Sequence, residues 1–387
     1  MGKLSGLIKT QLVKNKIKRK PDPRVWIFSS TDNSHYNYNS RYLFEYVRAE
    51  LPEITPYFVI NDDQLRRKLS EQYGEKYFIE TNSGQGIKKV LEAGVWFTSA
   101  GLPVYGTHLN RDRVIVNLWH GIPLKKIALM DPNLGKMARV YFRKIFTENY
   151  TWILTCSKAL IPIMAESFAI EQEKIKVWGQ PRNDMFFKEN AAKEILKKIY
   201  PDLPEYRGII LYAPTFRDYA STELFPFEDY DKDKLEAFLE KEKLLICLRT
   251  HISEKGTAEK YLSGRVVYLG NEQMEDIMEI LNIFDLLITD YSSIYIDYLI
   301  LNRPMIFLPY DKERYLQGRG MNFEYDKVTP GAKPESLREF MDRIHETFSG
   351  KDPYFAERQR CNDFFNEVRQ PCMQKICEEV KAYVHID

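Results

Sequence analysis

Two serines stand where the chain could bind an anion. Residues 285–290 form an apolar run that predicts a buried strand, and Ser292 and Ser293 follow it where a short helix would begin. A helix start presents unpaired backbone N–H groups and the positive end of the helix dipole, which favour an anion. Arg319, in the loop after the next predicted strand, adds a guanidinium that suits phosphate. This segment therefore predicts a phosphate or nucleotide site.

Two of the six histidines follow predicted strands. His120 comes after the run 114–118, and a histidine there could act as a general base because its ordinary pKa is near neutral. The alternative is a structural histidine in a domain interface. His251 ends a second run, two residues after Arg249. A cation and an imidazole at one strand end could bind phosphate, and a structural role is an equal alternative.

Two more strand ends carry candidate ligands. Thr215 and Arg217 follow the run 208–212 and could face the same anion, although Arg217 could also pair with Asp218 within the loop. Residues 179–184 could touch a substrate or form a turn at a domain boundary. The chain contains no G-x-x-x-x-G-K-[ST], G-x-G-x-x-G or G-x-S-x-G motif. These absences argue against a P-loop kinase, a dinucleotide enzyme and a serine hydrolase.

The strands that position these residues are continuous apolar runs separated by helical patterns. Such runs are typical of parallel strands covered by helices on both faces, and strand–helix alternation indicates an α/β fold. The predicted strands are 25–28, 56–60, 76–79, 95–98, 114–118, 152–155, 175–178, 208–212, 244–248, 266–269, 286–289 and 305–308. We therefore predict two doubly wound, Rossmann-type domains facing a central cleft, with the ligand at the carboxyl ends of the strands.

The length of 387 residues favours two domains, and a charged helix at 188–199 leads into the turn Pro201-Asp-Leu-Pro204. We place a first α/β domain at 23–195 and a second at 196–351. Residues 352–387 read as helices broken at Pro371 that pack back across the domains.

Residues 1–22 form a basic segment in which apolar side chains recur at helical spacing. Seven lysines and arginines fall within the first twenty residues, and Leu4, Leu7, Ile8 and Leu12 share one helical face. This pattern favours a helix that rests on an anionic membrane surface, and a solvated basic tail is the alternative. No apolar run is long enough to span a bilayer.

Composition excludes other classes of function. The formal net charge of +1 gives no argument for nucleic acid. The five cysteines form no C-x-x-C pair, which indicates packed, reduced thiols and no zinc or other metal site. No cofactor is predicted.

In this order, the motifs resemble the CDP-glycerol glycerophosphotransferase family of teichoic-acid and capsule synthesis. No single motif decides the match, and six of them in order make it specific. The matching segments are 117–125, 179–184, 212–218, 249–251, 289–293 with Asp297, and 319–320.

The resemblance implies a GT-B-like fold, with an acceptor domain followed by a nucleotide-donor domain. It implies transfer of a polyol phosphate from CDP-glycerol or CDP-ribitol to a hydroxyl of an undecaprenyl-diphosphate-linked saccharide or a growing polyol-phosphate chain, with release of CMP. His120 would be the base, and Asp297 would order the helix. The implied phosphate ligands are His251, Ser292, Ser293 and Arg319, with Arg249 and Arg217 as weaker candidates.

Several alternatives stay open. Ile122 stands where the family usually has threonine, and the compact length resembles the primase type without excluding a short polymerase. Glycerol phosphate and ribitol phosphate are both open as the transferred group. Rival functions are a GT-B nucleotide-sugar glycosyltransferase or epimerase, and a catalytically silent protein of the membrane surface. The expected location is the cytoplasmic face of the cell membrane.

Overall fold

The computed structural model describes residues 3–217, 219–250 and 254–386. The chain forms two compact units, one comprising Met1–Asp184 with Glu367–Asp387 and the other Met185–Asn366. The sequence-based boundary at 195/196 falls further along the chain, inside the helix Glu189–Ile199. The C-terminal tail is divided, because its first helix belongs to the second unit and its last helix to the first.

The first unit is built on a parallel sheet of seven strands in the order β3-β2-β1-β4-β5-β6-β7. The order reverses between β1 and β4, as in doubly wound Rossmann-type sheets. Its core contains apolar side chains from several of these strands, among them Ile27, Val59 and Trp96. The strands are β1 (Asp22–Ser29), β2 (Thr55–Val59), β3 (Phe78–Ile79), β4 (Ala93–Thr98), β5 (Val114–Asn117), β6 (Trp152–Thr155) and β7 (Ile175–Val177).

The second unit contains a parallel sheet of five strands in the order β10-β9-β8-β11-β12. Here the order reverses between β8 and β11, and the buried strand residues include Ile210, Ile246 and Ile288. The strands are β8 (Gly208–Tyr212), β9 (Leu244–Leu248), β10 (Val266–Tyr268), β11 (Leu286–Thr289) and β12 (Met305–Phe307).

Helices alternate with the strands along the chain. In the first unit they are α1 (Lys3–Lys14), α2 (Tyr38–Glu50), α3 (Asp63–Tyr73), α4 (Gly84–Leu91), α5 (Lys136–Asn149), α6 (Ile161–Phe168) and, from the tail, α15 (Met373–Tyr383). Those of the second unit are α7 (Glu189–Ile199), α8 (Lys232–Lys241), α9 (Lys255–Glu259), α10 (Ile294–Tyr298), α11 (Lys312–Arg319), α12 (Tyr325–Val328), α13 (Leu337–Phe348) and α14 (Phe355–Phe365).

All twelve predicted strands are present, so the prediction of an α/β fold with two doubly wound sheets is confirmed. The largest difference in length is at β1, which spans Asp22–Ser29 where the sequence predicts 25–28. At β3, residues 75–77 form a 3-10 turn and only Phe78 and Ile79 pair with β2. Hydrophobic runs identify these strands because both of their faces are buried.

The N-terminal segment is helical, and its apolar side chains differ in exposure. Ile8 and Leu12 of α1 are 52% and 60% exposed, whereas Thr10 on another face is buried. The side chain of Leu4 lies outside the described part. Among the residues described, no helix combines the length and the apolar character needed to cross a bilayer.

Candidate active site

His120 lies at the carboxyl edge of the first sheet, close to the point where the strand order reverses. It follows β5, which pairs with β4, and the residue after β4 is Ser99. The Nδ1 atom of His120 is 2.8 Å from the carbonyl oxygen of Ser99. A carbonyl only accepts hydrogen bonds, so Nδ1 carries the proton and the neutral ring keeps its lone pair on Nε2. Nε2 is therefore the nitrogen that can accept a proton.

The surroundings of His120 disfavour its charged form. Burial is the largest influence and lowers the pKa of the imidazole, and the bond to the Ser99 carbonyl opposes it. The positive charge of Arg182 lowers the pKa further, so that the net shift is downward from 6.5. A neutral imidazole near physiological pH is the form that a general base requires.

Aromatic side chains fix the plane of the imidazole. The ring of Tyr38 stacks on it with centroids 4.8 Å apart and planes 22° apart, and the indole of Trp119 lies 4.0 Å away. Tyr38 and Trp119 have φ angles of 58° and 53°, in the left-handed region that side chains other than glycine rarely adopt. Strained backbone of this kind clusters at functional sites.

His120 lines a cavity of about 580 Å³ within the first unit. One part of its wall is polar, and another part is aromatic and aliphatic. Helix α1 contributes to it through Gly6 and Thr10. The polar wall contains Ser30, Asp32, Asn33, Asn61, Thr81, Asn82, Asn117 and Asp131, and the apolar wall includes Leu102, Val104, Tyr105, Tyr141, Phe142, Ile145, Phe146 and Phe168. A cavity of this size and composition can hold an organic ligand that carries both hydroxyl groups and apolar surface.

Ser292 and Ser293 lie at the carboxyl edge of the second sheet, also at a reversal of strand order. Both are half-buried, between β11 and α10. The Oγ of Ser292 accepts a long hydrogen bond of 3.4 Å from the backbone N–H of Ile294, which leaves its own proton available for donation. Asp297 is buried within α10, a helix of only five residues.

Arg217 is buried between two carboxylates in the same region. Its Nε and Nη2 donate to the two carboxylate oxygens of Asp311 at 2.8 and 2.9 Å, and its Nη1 is 2.8 Å from Asp290 Oδ2. Although burial lowers the pKa of Arg217, the bond to Asp311 and the charge of Asp290 raise it above its ordinary value. The guanidinium thus ties together the loops that follow β8, β11 and β12.

The guanidinium of Arg249 donates hydrogen bonds to the loop that follows β10. Its Nη1 donates to the carbonyl oxygens of Leu269 and Met274 at 3.2 and 2.8 Å, and its Nη2 donates to Asn271 Oδ1 at 2.6 Å. These contacts order residues 269–275.

Two other predicted ligands, His251 and Arg319, lie wholly or partly outside the described part of the chain. His251 lies outside the described residues. Arg319 is the last residue of α11, and its side chain lies outside the described part. Among the described side chains, no three of His, Cys, Asp and Glu are grouped so as to hold a metal ion.

A model of the family described as CDP-glycerol:poly(glycerophosphate) glycerophosphotransferase matches residues 12–380. The chain belongs to this family. The resemblance inferred from the ordered motifs is thereby confirmed, as is the prediction that the chain is an enzyme of the CDP-glycerol glycerophosphotransferase family.

The curated relatives are proteins of teichoic acid synthesis. A teichoic acid poly(glycerol phosphate) polymerase of Bacillus subtilis (strain 168) is 29% identical over 340 residues, covering 84% of this chain and 44% of the relative. The teichoic acid ribitol-phosphate polymerase TarL of Staphylococcus aureus is 28% identical over 252 residues, covering 64% of this chain and 45% of the relative. The chain thus spans about half the length of these relatives. A teichoic acid glycerol-phosphate transferase of Staphylococcus aureus is 26% identical over 385 residues, with 93% of each chain covered.

Solved structures with the same fold support the GT-B-like prediction. The wall teichoic acid polymerase TagF superposes with a TM-score of 0.77 at 22% identity, covering 97% of this chain and 93% of that chain. UDP-GlcNAc 2-epimerase from Neisseria meningitidis superposes with a TM-score of 0.59 at 10% identity, covering 93% and 99%. The α/β, GT-B-like fold class is therefore confirmed.

The second sheet brings Arg217, Ser292 and Ser293 to the same edge. Asp290 lies two residues before Ser292, and it pairs with Arg217 and accepts a hydrogen bond from the backbone N–H of Thr215. Sequence reasoning missed Asp290 and Asp311 as the partners of Arg217. Asp290 directly follows β11 and Asp311 lies four residues after the end of β12. These positions were a usable signal, because the carboxyl ends of neighbouring parallel strands meet. It also missed Asn39, which contacts the backbone before His120. A polar residue at a helix start reads as a cap, so the sequence contains no signal for that contact.

Proposed function

We propose that the chain transfers glycerol phosphate from CDP-glycerol to a hydroxyl of a membrane-linked acceptor and releases CMP. The observation that carries this proposal is the state of His120. Its Nδ1 is held by the Ser99 carbonyl, which leaves Nε2 as the proton acceptor at a cavity of about 580 Å³. Family membership supplies the donor class.

In the proposed reaction, the acceptor hydroxyl gives its proton to His120 Nε2. Its oxygen forms a bond to the phosphorus that carries glycerol, and the bond from that phosphorus to the bridging oxygen breaks. CMP leaves with the electron pair of that bond. Transfer of this kind depends on positioning and on stabilising charge around the transferred phosphoryl group.

The hydroxyls of Ser292 and Ser293 are the proposed donors to the diphosphate of CDP-glycerol. His251 and Arg319 are proposed to add positive charge there. Arg217 and Arg249 are proposed to act indirectly, because their guanidinium groups are engaged by Asp311 and by the carbonyls of residues 269 and 274. Donors held in place before the reaction stabilise developing charge without reorganisation.

The cavity beside His120 is the proposed acceptor site. Its amide and hydroxyl side chains suit the hydroxyls of a saccharide, and its aromatic wall suits sugar faces or the first part of a lipid. An undecaprenyl-diphosphate-linked saccharide, or a growing polyol-phosphate chain, has this combination of features.

We further propose that the chain binds the cytoplasmic face of the membrane through α1 and α5. Each helix lines the His120 cavity on one face and exposes apolar side chains on another. Ile8 and Leu12 of α1 are 52% and 60% exposed, and Met137 and Val140 of α5 are 88% and 72% exposed. Lysines and arginines accompany them in both helices. Exposed apolar groups among basic residues suit an anionic bilayer surface.

The test incubates the protein with a synthetic lipid-linked saccharide and either CDP-glycerol or CDP-ribitol, then weighs the products. The proposal requires CMP release and a mass increase equal to glycerol phosphate. The absence of any product with either donor would contradict it. Repeated additions would indicate a polymerase, and a single addition would indicate a primase or transferase.

Ribitol phosphate is the second candidate for the transferred group. The observation that favours it is the similarity to TarL, whose 28% identity is close to the 29% of the glycerol-phosphate polymerase. Both donors carry the same CDP moiety. The CDP-ribitol arm of the same experiment decides between them.

A further inference from the structure

Loops from three places in the first unit meet behind His120. They are the start of α2, the residues that follow β5 and the residues that follow β7. The side chains that connect them are Asn39, Gln180 and Arg182, which are 0%, 4% and 8% exposed. Buried polar groups of this kind are costly unless they bond to one another, so their arrangement is specific.

Asn39 occupies the centre of this arrangement. Its amide nitrogen donates to the carbonyl oxygens of Leu118 and Trp119 at 3.2 and 2.9 Å, and lies 3.3 Å from Gln180 Oε1. Its amide oxygen accepts a hydrogen bond of 3.1 Å from the backbone N–H of Arg182. One side chain thus joins the backbone before His120 to the loop after β7.

Arg182 completes the connection from the other side. Its Nη1 donates to the carbonyl oxygen of His120 at 2.9 Å. The peptide groups on both sides of His120 are therefore held by hydrogen bonds, and the ring itself is held by the Ser99 carbonyl.

The backbone at this point is strained in a way that requires such support. Trp119, directly before His120, and Tyr38, directly before Asn39, both have positive φ angles. Each non-glycine residue in a sparsely populated conformation costs on the order of 1–3 kcal/mol and persists only where its surroundings hold it. The Asn39 bond to the Trp119 carbonyl connects the two strained positions.

We propose that Asn39 and Arg182 are positioning residues for His120. They hold the strained loop so that Nε2 is presented to the cavity, and the Arg182 charge disfavours protonation of the ring. This proposal rests on the proposed role of His120 as the base.

The groups that face the imidazole come from each of the elements around it. They are Tyr38 from α2, the Ser99 carbonyl after β4, the neighbouring Trp119, and Arg182 after β7. Two carboxylates, Asp32 and Asp131, line the same cavity. Arg182 is the cationic group that lowers the pKa of His120. Removing its charge therefore raises that pKa.

The first test compares Arg182→Gln with Arg182→Lys by measuring kcat/KM for the acceptor against pH. Loss of the charge in Arg182→Gln moves the acid limb of the profile to higher pH and lowers the plateau roughly 10- to 100-fold, because His120 is misplaced. Arg182→Lys keeps the acid limb in place while the plateau falls. An Arg182→Gln profile with the wild-type acid limb, or an equal shift in both variants, would overturn the electrostatic part of the proposal.

The second test uses Asn39→Asp, which keeps the shape and the acceptor oxygen but replaces the donating amide. The expected result is a lower kcat with an unchanged KM for CDP-glycerol, together with an acid limb at higher pH because of the added negative charge. Wild-type kcat in this variant would overturn the positioning role of Asn39.

Arg113→Gln is the matched control, because Arg113 is also a buried arginine of the first unit, 7% exposed and packed on Trp96. It is expected to lower the thermal midpoint without moving the acid limb. If an Arg182 variant does not fold, the folded Asn39→Asp protein alone decides the positioning claim. His120→Gln distinguishes failure of the proposed function from failure of this inference. Full activity in that variant refutes the proposed function. An inactive His120→Gln beside an unaltered Arg182→Gln refutes only this inference.

Discussion

The two strand-end sites of this enzyme are held together by different forces. Around His120, the contacts come mainly from neutral amides and carbonyls, with Arg182 as the charged neighbour. Around Ser292 and Ser293, a buried guanidinium joins two carboxylates, and the hydroxyls of Tyr219 and Tyr291 also donate to Asp311.

The difference follows from what each site must do in the proposed reaction. A carboxylate bonded to the ring would raise the pKa of His120 and leave a larger fraction of it already protonated near neutral pH, so the neutral carbonyl of Ser99 suits the first site. The second site must hold three loops in fixed positions relative to one another. A buried ion network resists their separation, because breaking it leaves a charge buried without a partner.

The largest expected effect comes from removing the proposed base of the first site, His120. His120→Gln keeps a polar side chain of similar size but has no basic nitrogen. We expect kcat to fall by roughly 10²–10⁴-fold, the typical contribution of a general base. The KM for CDP-glycerol stays close to wild type, because the donor contacts are proposed to lie in the other unit. Steady-state kinetics of CMP release provide the measurement. A collapse of donor affinity with normal turnover would contradict the assignment.

The next effect concerns the ion network of the second unit. Arg217→Met removes the cation and leaves Asp290 and Asp311 buried without it, which lowers the free energy of unfolding by about 3–5 kcal/mol. Urea unfolding followed by circular dichroism is the measurement. Arg314→Met is the control, because Arg314 is exposed and its loss changes stability by only about 0.5 kcal/mol. Equal stability of the two variants would show that the network does not support the fold.

A smaller effect is expected from the serine hydroxyls. Ser292→Ala and Ser293→Ala each remove one proposed hydrogen bond to a charged phosphate, worth about 1.5–3 kcal/mol, so the KM for CDP-glycerol rises roughly 10- to 100-fold. The unfolding midpoint stays near wild type, because both residues are only half-buried. Titration with CDP-glycerol by calorimetry checks the affinity directly. Unchanged affinity in the double variant would remove the serines from the donor site.

The smallest effect is the response of the ion network to acid. Burial alone would raise the pKa of Asp311, but its bonds to Arg217 and Tyr219 lower it below the ordinary value of 3.8. A carboxylate with a lowered pKa adds stability that is fully present above the unfolded-state pKa and is lost as the pH falls through the folded-state pKa. We therefore expect a loss of stability below about pH 4 that Asp311→Asn reduces. Parallel acid-unfolding curves for the two proteins would contradict it.

The strands were predictable because their signal is local. A strand buried on both faces needs a continuous apolar run, and such runs located all twelve strands, including Leu244–Leu248 and Leu286–Thr289. Strand order then placed Ser99, His120, Arg217 and Ser292 at the carboxyl edges of the two sheets.

The roles of individual polar side chains depended on distant partners. Arg217 was predicted as a phosphate ligand, yet its principal partner Asp311 lies 94 residues further along the chain. Asp184 belongs to the segment 179–184, for which the sequence allows either substrate contact or a turn at a domain boundary. In the structure it accepts hydrogen bonds from the backbone N–H groups of Cys372 and Met373, 188 and 189 residues away. These bonds cap α15 and help to anchor the C-terminal tail in the first unit.

The sequence by itself determined the α/β class, the strand positions, the family and the candidate residues, because apolar runs and ordered motifs are written along the chain. Only the tertiary structure decided which polar group faces which. It alone showed that the proton of His120 lies on Nδ1, that Arg217 is paired with two carboxylates, and that Asn39 is bonded to Arg182. Hydrogen bonds and ion pairs form between atoms a few ångströms apart, and folding brings together residues that the sequence separates by 20 to 190 positions.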